Sequence, residues 1–237
     1  MPPKKKHVPV VQAIPCADKD FDDAPPQDHP LSMPRGKVIA IVGPCNVGKS
    51  SLLKNQLVRS APWSAVYVIH GAAEHSKEYD LVRHTKTTFA EASPEYWAEQ
   101  HRIHRGKPIA LVVDDTNFSD LNKAEKSNAY ALAQFCCSHF NITAWLVAHS
   151  WTQLVPRLRR MAAVVFLYPN SVGGQDAISY QARSLGLPAK TLANAMAQCT
   201  GKYEFETIYS GADIPEGRSA VMVRDASIPF DTEGSED

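Results

Sequence analysis

The chain has 237 residues and a mass of 26.1 kDa, a length that favours one sizeable α/β domain with appendages over two domains. Hydrophobic residues make up 44% of the chain and charged residues 21%, proportions that exclude a wholly disordered, collagen-like or coiled-coil protein. The 25 Lys and Arg residues balance the 25 Asp and Glu residues. Net charge therefore gives no reason to expect nucleic-acid binding, and any such contact has to be a local patch.

The cysteines and the apolar runs indicate the compartment. Five scattered cysteines lack the spacing of a zinc site or a disulfide framework, so we expect a reducing compartment and no structural metal. No apolar run reaches the roughly 18 residues that span a bilayer, and the N-terminus carries Pro and Lys instead of an apolar signal. We expect a protein that is neither secreted nor integral to a membrane.

Composition divides the chain into three parts. Residues 1–35 hold eight of the 17 prolines and show no periodicity, which predicts an extended Pro-rich arm. Its lysines at 4–6 fit either a nuclear-import signal or a merely solubilising run. Residues 36–226 are predicted to form the folded domain, and residues 227–237 an acidic solvated tail.

Apolar runs alternate with helical segments between these ends, which predicts an α/β fold with a mostly parallel central sheet flanked by helices. The strands show little alternation, as expected where both faces of a sheet are covered. In chain order, we predict a strand at 37–42, a helix at 49–59, strands at 65–70 and 109–113 around a helix at 94–104, a helix at 120–139, strands at 143–148 and 163–167, a helix at 188–198, and a small C-terminal β addition, a hairpin or edge strands, at 203–209 and 220–224.

A phosphate-binding loop links the first predicted strand to the first helix. Residues 43–50 read GPCNVGKS and fit G-x-x-x-x-G-K-[ST] at every defined position. Glycines let the backbone wrap a phosphate, Lys49 reaches the β and γ oxygens, and the Ser50 hydroxyl ligates Mg²⁺. The residues predicted to bind ATP are Gly43, Pro44, Cys45, Asn46, Val47, Gly48, Lys49, Ser50 and Ser51.

A second acidic element follows the strand at 109–113. Asp114 is predicted to hold Mg²⁺ through its water shell, and Asp115 stands where hydrolysing ATPases keep a general base. An adjacent second acid favours hydrolysis over binding alone. The alternative is that Asp115 merely caps the following turn.

Polar residues also follow the next strand, at the same carboxyl edge of the sheet where ligands sit in open α/β folds. His149, Ser150 and Gln153 are all candidates to sense the γ-phosphate or the attacking water. The sequence does not choose among them, and Ser150 fits equally well as a helix cap.

Three arginines follow Pro156 and precede the strand at 163–167. Arg157, Arg159 and Arg160 suit a subunit interface, where a guanidinium stabilises charge on a neighbour's γ-phosphate, with Arg159 as the first choice. The alternatives are a solvated helix face and a contact with the DNA backbone.

Two other P-loop classes are excluded by position. The near match to a GTPase motif at 122–125 lies inside the predicted helix at 120–139 and lacks the final Asp, and the match to an ABC signature at 171–175 follows the acidic strand instead of preceding it. Small nucleotide kinases stay open, since their size matches and they carry arginine-bearing lids.

The segments GPCNVGKSS, LVVDD, AWLVAHS and QLVPRLRRMAAVVFLY together resemble the FtsK/HerA superfamily, and within it the poxvirus-type genome-packaging ATPases of DNA viruses, over residues 36–170. The resemblance implies a RecA/FtsK-like P-loop NTPase fold. It matches Lys49 and Ser50 to the Walker A pair and Asp114 and Asp115 to the Walker B pair. It matches Ser150 or Gln153 to the sensor, and Arg159 to the arginine after proline. Two positions depart from the family: Asp115 stands where many members have Glu, and Met161 where relatives often carry a polar residue.

The resemblance also implies partners and a place of action. It implies a ring-shaped homo-oligomer, a pentamer or hexamer, that hydrolyses ATP with Mg²⁺ and pumps double-stranded DNA into a preformed capsid. Capsid or packaging-vertex proteins are then partners, and the protein acts inside the host cell, in the nucleus or a cytoplasmic virus factory, or with the virion. A nucleotide kinase and a non-hydrolysing P-loop assembly module stay open as alternatives.

Basic positions are available for a loop that faces DNA, where each Lys or Arg on a phosphate adds a salt-dependent contribution to affinity. A solvated helix end is the alternative for each of them. The candidates are His101, Arg102, His104, Arg105, Lys107, Lys190 and Lys202.

Overall fold

The computed structural model describes residues 35–60, 62–71, 79, 84–169, 179–183, 185–199, 203–209 and 221–225. The predicted arm up to residue 34, the acidic tail at 227–237, the segment 171–175 and Lys202 lie outside the described residues. The division into an arm, a domain and a tail therefore stays a prediction.

One sheet of eight strands organises the described part of the chain, in the order β3-β2-β4-β5-β1-β6-β7-β8. The first six strands pair in parallel, and β7 and β8 are added antiparallel at one edge. The strands are β1 Val38–Val42, β2 Ala65–His70, β3 Thr85–Lys86, β4 Ile109–Asp114, β5 Ile142–Ala148, β6 Ala162–Leu167, β7 Glu204–Tyr209 and β8 Val221–Asp225.

Helices cover the sheet and carry most of the crossovers that parallel strands require. They are α1 Lys49–Arg59, α2 Pro94–Ile103, α3 Lys123–Ala131, α4 Cys137–His139, α5 Pro156–Met161 and α6 Ala189–Met196. A π-helical turn, Leu132–Cys136, joins α3 to α4, and a 3₁₀ turn, Trp151–Gln153, precedes α5. No helix within the described ranges is long and apolar enough to cross a membrane.

The β1 strand shows why the central strands are apolar throughout. Val38, Ala40 and Val42 pack into the hydrophobic cluster on one face of the sheet. Ile39 and Ile41 pack into the cluster on the other face, together with the leucines of α1. A strand that is buried on both faces has no polar side to alternate with.

Local capping signals fix the starts of two helices. The Ser93 hydroxyl accepts a hydrogen bond from Tyr96 N at 3.2 Å, and Pro94 opens α2. The next helix, predicted from residue 120, begins at Lys123. Asn122 is its N-cap, with its side chain accepting from Glu125 N at 3.0 Å while Glu125 accepts from Asn122 N at 2.8 Å. Residues 122–125, which resemble a GTPase motif, therefore start this helix.

The predicted fold class is confirmed, and each predicted strand lies within one residue of an observed one. The predicted C-terminal β addition is the antiparallel pair β7–β8. The sequence missed β3 and α5. Both β3 residues are exposed, so the strand has no apolar pattern to detect. The six-residue helix α5 is too short to show a helical period.

Candidate functional site at the carboxyl edge of the sheet

Strand order brings the phosphate-binding loop and the polar strand ends together. Strand β1 pairs with β5, and β5 pairs with β4, all in parallel. The loop after β1, the aspartates at the end of β4 and His149 after β5 consequently lie at one edge of the sheet, where open α/β folds bind their ligands.

The loop at 43–50 is built by close backbone approach. A Cβ placed on Gly43 would lie 2.7 Å from the Cβ of the buried Tyr168, so no larger residue fits there. Gly43 N donates to Ala148 O at 3.1 Å, which ties the loop to the end of β5. Asn46 and Gly48 have φ of 61° and 95°, the left-handed conformations that a tight loop uses.

Lys49 closes this loop from inside. Its side chain is buried, and its Nζ donates to the carbonyl oxygen of Pro44 at 2.7 Å. The same Nζ lies 3.5 Å from His149 Nδ1. The ammonium group is therefore held in the concavity of the loop, where the phosphates of a nucleotide bind in such loops.

Asp114 is a buried carboxylate held by neighbours on both oxygens. Its Oδ1 accepts from Asp115 N at 2.9 Å, and its Oδ2 accepts from the hydroxyl of the buried Tyr79. His70 Nε2 is 4.0 Å from the same Oδ2. These contacts fix the orientation of the carboxylate at the end of β4.

Asp115 is exposed and has a strained backbone. Its φ of 49° lies in the left-handed region, which costs free energy for a non-glycine residue and often marks a functional position. A Cβ on Gly71 would lie 2.5 Å from Asp115 O, so glycine at the end of β2 makes room for this turn. The carboxylate points towards His149, with Oδ1 at 3.3 Å from Nε2.

His149 bridges the lysine and the second aspartate. One ring nitrogen, Nδ1, is 3.5 Å from both Lys49 Nζ and Cys45 Sγ, and the other faces Asp115. The geometry places Nδ1 to accept from the ammonium group and Nε2 to donate to the carboxylate, the roles of one imidazole tautomer. Of the three sensor candidates, His149 is the one that touches both predicted catalytic groups.

Ser150 and Gln153 act within the turn that follows His149. Gln153 Oε1 accepts from His149 N at 2.7 Å and from Ser150 N at 3.3 Å. Ser150 is the N-cap of the 3₁₀ turn, and its hydroxyl lies 3.0 Å from that of Thr152. This geometry matches the capping role that the sequence left open for Ser150, and it makes Gln153 a residue that orients His149.

The three arginines have different surroundings. Arg159 is buried, donates from Nη1 to the Tyr180 hydroxyl at 2.8 Å and lies over the Trp151 ring. Arg157 is exposed and donates to Gln134 at 2.6 Å. Arg160 is exposed as well. The predicted role of Arg159 towards a neighbouring subunit stays a prediction.

The basic side chains around the end of α2 differ in their contacts with the described residues. Arg102 forms a bidentate ion pair with Glu99, and His101 Nδ1 lies 3.0 Å from Phe140 O. Burial lowers the pKa of His104. Exposed Arg105 and Lys107 line a cavity of about 740 Å³ at the amino edge of the sheet, opposite the phosphate-binding loop. Lys190 is exposed on α6.

The residues at the carboxyl edge fit a magnesium ion bound with a nucleotide. Ser50 offers a hydroxyl and Asp114 a carboxylate, the hard oxygen donors that Mg²⁺ prefers, and Mg²⁺ commonly takes its remaining ligands from phosphate and water. Within the described ranges no group of three or more His, Cys, Asp or Glu side chains could hold a metal by itself.

Three residues of this site were not predicted. His70 ends β2 opposite Asp114 in the parallel register. Its position as the last residue of a predicted strand was a usable signal. Tyr79 and Tyr168 carry no local signal in the sequence. The Tyr79 hydroxyl contacts Asp114, 35 positions away, and the Tyr168 ring packs against Gly43, 125 positions away.

The fold of this chain was compared with those of known proteins. No protein-family model matches the chain, and no curated protein matches it. The chain is similar to B204, the DNA-packaging ATPase from Sulfolobus turreted icosahedral virus, with a TM-score of 0.57 and 13% identity over 82% of this chain and 100% of B204. This chain has the fold of a genome-packaging ATPase.

Two further solved structures extend the comparison. B204 from Sulfolobus turreted icosahedral virus 2, in complex with AMPPCP, aligns with a TM-score of 0.53 and 12% identity over 81% of this chain and 98% of that chain. The pCW3 conjugation coupling protein TcpA, with ATPγS, aligns with a TM-score of 0.51 and 15% identity over 81% of this chain and 60% of that chain. The predicted resemblance to packaging ATPases is confirmed at the level of the fold.

Proposed function

We propose that this protein is an ATP-hydrolysing motor that translocates double-stranded DNA and packages a viral genome into a preformed capsid. The observation that carries the proposal is the convergence of Lys49, Asp115 and His149 at the carboxyl edge of a sheet with the packaging-ATPase fold. A fold hosts many functions, so the argument rests on this site, and the fold supports it by analogy.

Nucleotide binding uses the loop and the start of α1. The backbone N–H groups between residues 45 and 51 face the phosphates, and Lys49 exchanges the Pro44 carbonyl for the β and γ oxygens. Ser50 and Asp114 hold the Mg²⁺, which supplies charge neutralisation on the phosphates. The hydrogen bonds from Tyr79 and from Asp115 N hold the Asp114 carboxylate in one orientation.

Hydrolysis uses the exposed aspartate. Asp115 accepts the proton of the attacking water, and His149 holds the carboxylate through Nε2. Gln153 fixes the backbone of His149 through the hydrogen bond at 2.7 Å. In this scheme Gln153 positions His149, and Ser150 caps the turn.

The finer parts of the proposal follow the resemblance. A ring of five or six copies places an arginine of one subunit, with Arg159 as the predicted residue, at the γ-phosphate of the next. DNA contacts the basic positions that form no ion pair with a described residue, such as Arg105 and Lys107. Residues 1–35 dock on the capsid or its packaging vertex, inside the host cell or with the virion.

The first test is ATP turnover by the full chain with and without linear double-stranded DNA, across a salt series. We expect turnover to rise with DNA and the stimulation to fade with salt, because phosphate contacts release counterions. Lys49→Ala and Asp115→Asn are expected to abolish turnover. The matched control is Lys123→Ala, which removes an exposed lysine outside the site and is expected to keep turnover.

Other outcomes point to the alternatives. If ATP turnover is the same with and without DNA, the proposed motor function is contradicted. The next experiment is then a screen of nucleoside monophosphates as phosphate acceptors. Nucleotide binding without turnover, with or without capsid components, identifies a nucleotide-gated assembly module. Removal of residues 1–34 without loss of capsid association contradicts the docking role of the arm.

A further inference from the structure

An arginine-lined cavity lies apart from the phosphate-binding loop. It has a volume of about 300 Å³ and is lined by Pro156, Arg159, Arg160, Tyr180 and Arg183. Three of its five lining residues carry a permanent positive charge, and none carries a negative one. Tyr180 is 48% exposed, so the cavity opens to solvent.

Arg159 is the buried member of this set. Its side chain is 6% exposed, and its guanidinium lies 5.8 Å from the Trp151 ring centre and 5.3 Å from that of Tyr180. The Tyr180 hydroxyl accepts one hydrogen bond at 2.8 Å, while the buried Nε has no hydrogen-bond partner among the described residues. No carboxylate of the described residues pairs with this guanidinium. A buried charge without a counter-ion is costly, so an anion in the cavity would compensate it.

Arg160 and Arg183 add two exposed guanidinium groups to the same cavity. Neither forms an ion pair within the described part of the chain. Like charges that share a small space repel each other, and an oxyanion between them relieves the repulsion. Arginine offers a planar fork of N–H donors that matches the oxygens of a phosphate group.

We propose that this cavity is a second phosphate-binding site, distinct from the loop at residues 43–51 of the same chain. Its ligand class is a phosphodiester or phosphomonoester, and the source is either the DNA backbone or a phosphate ester in solution. The inference goes beyond the proposed ATP hydrolysis and does not depend on it. Trp151, which contacts Arg159, belongs to the turn that follows His149.

The test fills the phosphate-binding loop first, with a saturating non-hydrolysable ATP analogue and Mg²⁺. Inorganic phosphate is then titrated by calorimetry, and a short linear DNA duplex by fluorescence anisotropy across a salt series. The test variant is Arg160→Gln/Arg183→Gln, which leaves the buried Arg159 in place. The control variant is Lys86→Gln/Lys123→Gln, which removes two exposed charges elsewhere. Thermal unfolding checks that both variants fold.

We expect the arginine variant to lose at least about tenfold in phosphate affinity, because two charged hydrogen-bonding groups are removed. If the DNA backbone is the source, the slope of log affinity against log salt also falls by about 1.8, or about 0.9 for each lost contact. The lysine control is expected to keep both values.

Each outcome has a defined meaning. Loss of phosphate affinity with an unchanged DNA slope assigns the site to a phosphate ester in solution, and loss in the DNA series assigns it to the backbone. If the arginine variant and the lysine control behave alike in both series, the proposal is overturned. Lys49→Ala abolishes the proposed turnover but leaves this cavity intact, so the two proposals fail independently.

Discussion

At the scale of single residues, His149 has the most informative surroundings. It follows β5, and its two ring nitrogens face Lys49 and Asp115, residues that lie 100 and 34 positions away in the chain. An imidazole that accepts from a cation at one nitrogen and donates to an anion from the other couples the two groups. We infer that His149 aligns Asp115 for the attacking water.

Replacement of His149 by alanine is expected to lower turnover far more than nucleotide affinity. A hydrogen bond to a charged group contributes about 1.5–3 kcal/mol, which corresponds to roughly 10- to 150-fold in rate. Ser150→Ala, in the same turn, is expected to change turnover less than threefold, or about 0.6 kcal/mol. Steady-state kinetics with each variant measures both. Equal effects of the two substitutions would contradict the role of His149.

Cys45 is the exposed cysteine of the phosphate-binding loop, with Sγ 3.5 Å from His149 Nδ1. The other cysteines of the described residues are protected. Burial raises the pKa of the Cys136 thiol to about 12 and also raises the pKa of the Cys137 and Cys199 thiols. A thiol with a raised pKa reacts slowly with alkylating agents, because the thiolate is the nucleophile.

Iodoacetamide near neutral pH is therefore expected to label Cys45 ahead of these three cysteines and to block nucleotide binding, since the added group fills the loop. Bound nucleotide should protect the thiol. The experiment uses Cys16→Ser, which removes the cysteine outside the described residues, and maps the adduct by peptide mass spectrometry. Labelling of Cys136 before Cys45, or labelling without loss of nucleotide binding, would refute this expectation.

At the scale of elements, β7 carries an unusual buried acid. Glu206 is fully buried opposite Leu167 of β6, and its Oε1 accepts a hydrogen bond from Cys199 Sγ at 3.3 Å. Its Oε2 is buried and has no hydrogen-bond partner within the part of the chain that the structure describes. Burial is the main cause that raises the pKa of Glu206, and the Cys199 hydrogen bond opposes it.

This raised pKa sets the sign of a pH effect on stability. The folded state holds the Glu206 proton more tightly than the unfolded chain, so folding is favoured at low pH and loses stability as pH rises through the folded pKa. Glu206→Gln keeps the shape and removes the charge. We expect it to raise the unfolding midpoint at about pH 8, with a difference from the wild type that shrinks towards about pH 4.

Glu204→Gln on the same strand is the control, because Glu204 is only partly buried. Thermal unfolding followed by circular dichroism across the pH series measures all three chains. A Glu206→Gln midpoint that falls below the wild type at every pH would show that the carboxylate makes a stabilising contact, and would contradict this account of β7.

At the scale of the whole molecule, two cavities lined by basic side chains lie away from the phosphate-binding loop. The cavity that Arg105 and Lys107 line lies at the amino edge of the sheet, and the arginine cavity lies beside α5. The phosphate-binding loop occupies the carboxyl edge. A ring of copies would bring such surfaces of one subunit against the nucleotide of another.

Subunit mixing tests this ring. A Lys49→Ala chain lacks the lysine proposed to be catalytic but keeps its arginines, and an Arg159→Ala chain has the reverse defect. If Arg159 acts on a neighbour, an equal mixture forms about one intact interface in four and recovers turnover in proportion. The same mixture with Arg157→Ala or Arg160→Ala identifies which arginine acts.

The control mixture pairs the Lys49→Ala chain with a chain that carries both Lys49→Ala and Arg159→Ala, so that no interface is intact. It is expected to stay inactive. Mixtures that recover no turnover with any of the three arginine variants would contradict a trans-acting arginine and leave each subunit to act alone.

The sequence by itself determined the fold class, every described strand except β3, and the phosphate-binding loop. These features depend on short sequence segments: the apolar runs at 38–42 and 109–113, the glycine pattern at 43–48, and the proline that opens α2. Each arises from backbone conformation and burial within a few neighbouring residues, so a local pattern reports it. The same is true of Asp114 and Asp115, which directly follow an apolar strand.

Only the tertiary structure decided which polar residues meet. It joins His149 to Lys49 and Asp115, gives Gln153 a supporting role, adds Tyr79 to Asp114 and leaves Arg159 buried beside Trp151. These contacts depend on strand order and on packing between residues far apart in the chain, and no local pattern specifies them. The partners of a side chain at a sheet edge are set by the neighbouring strands, and the strand order forms only when the whole sheet assembles.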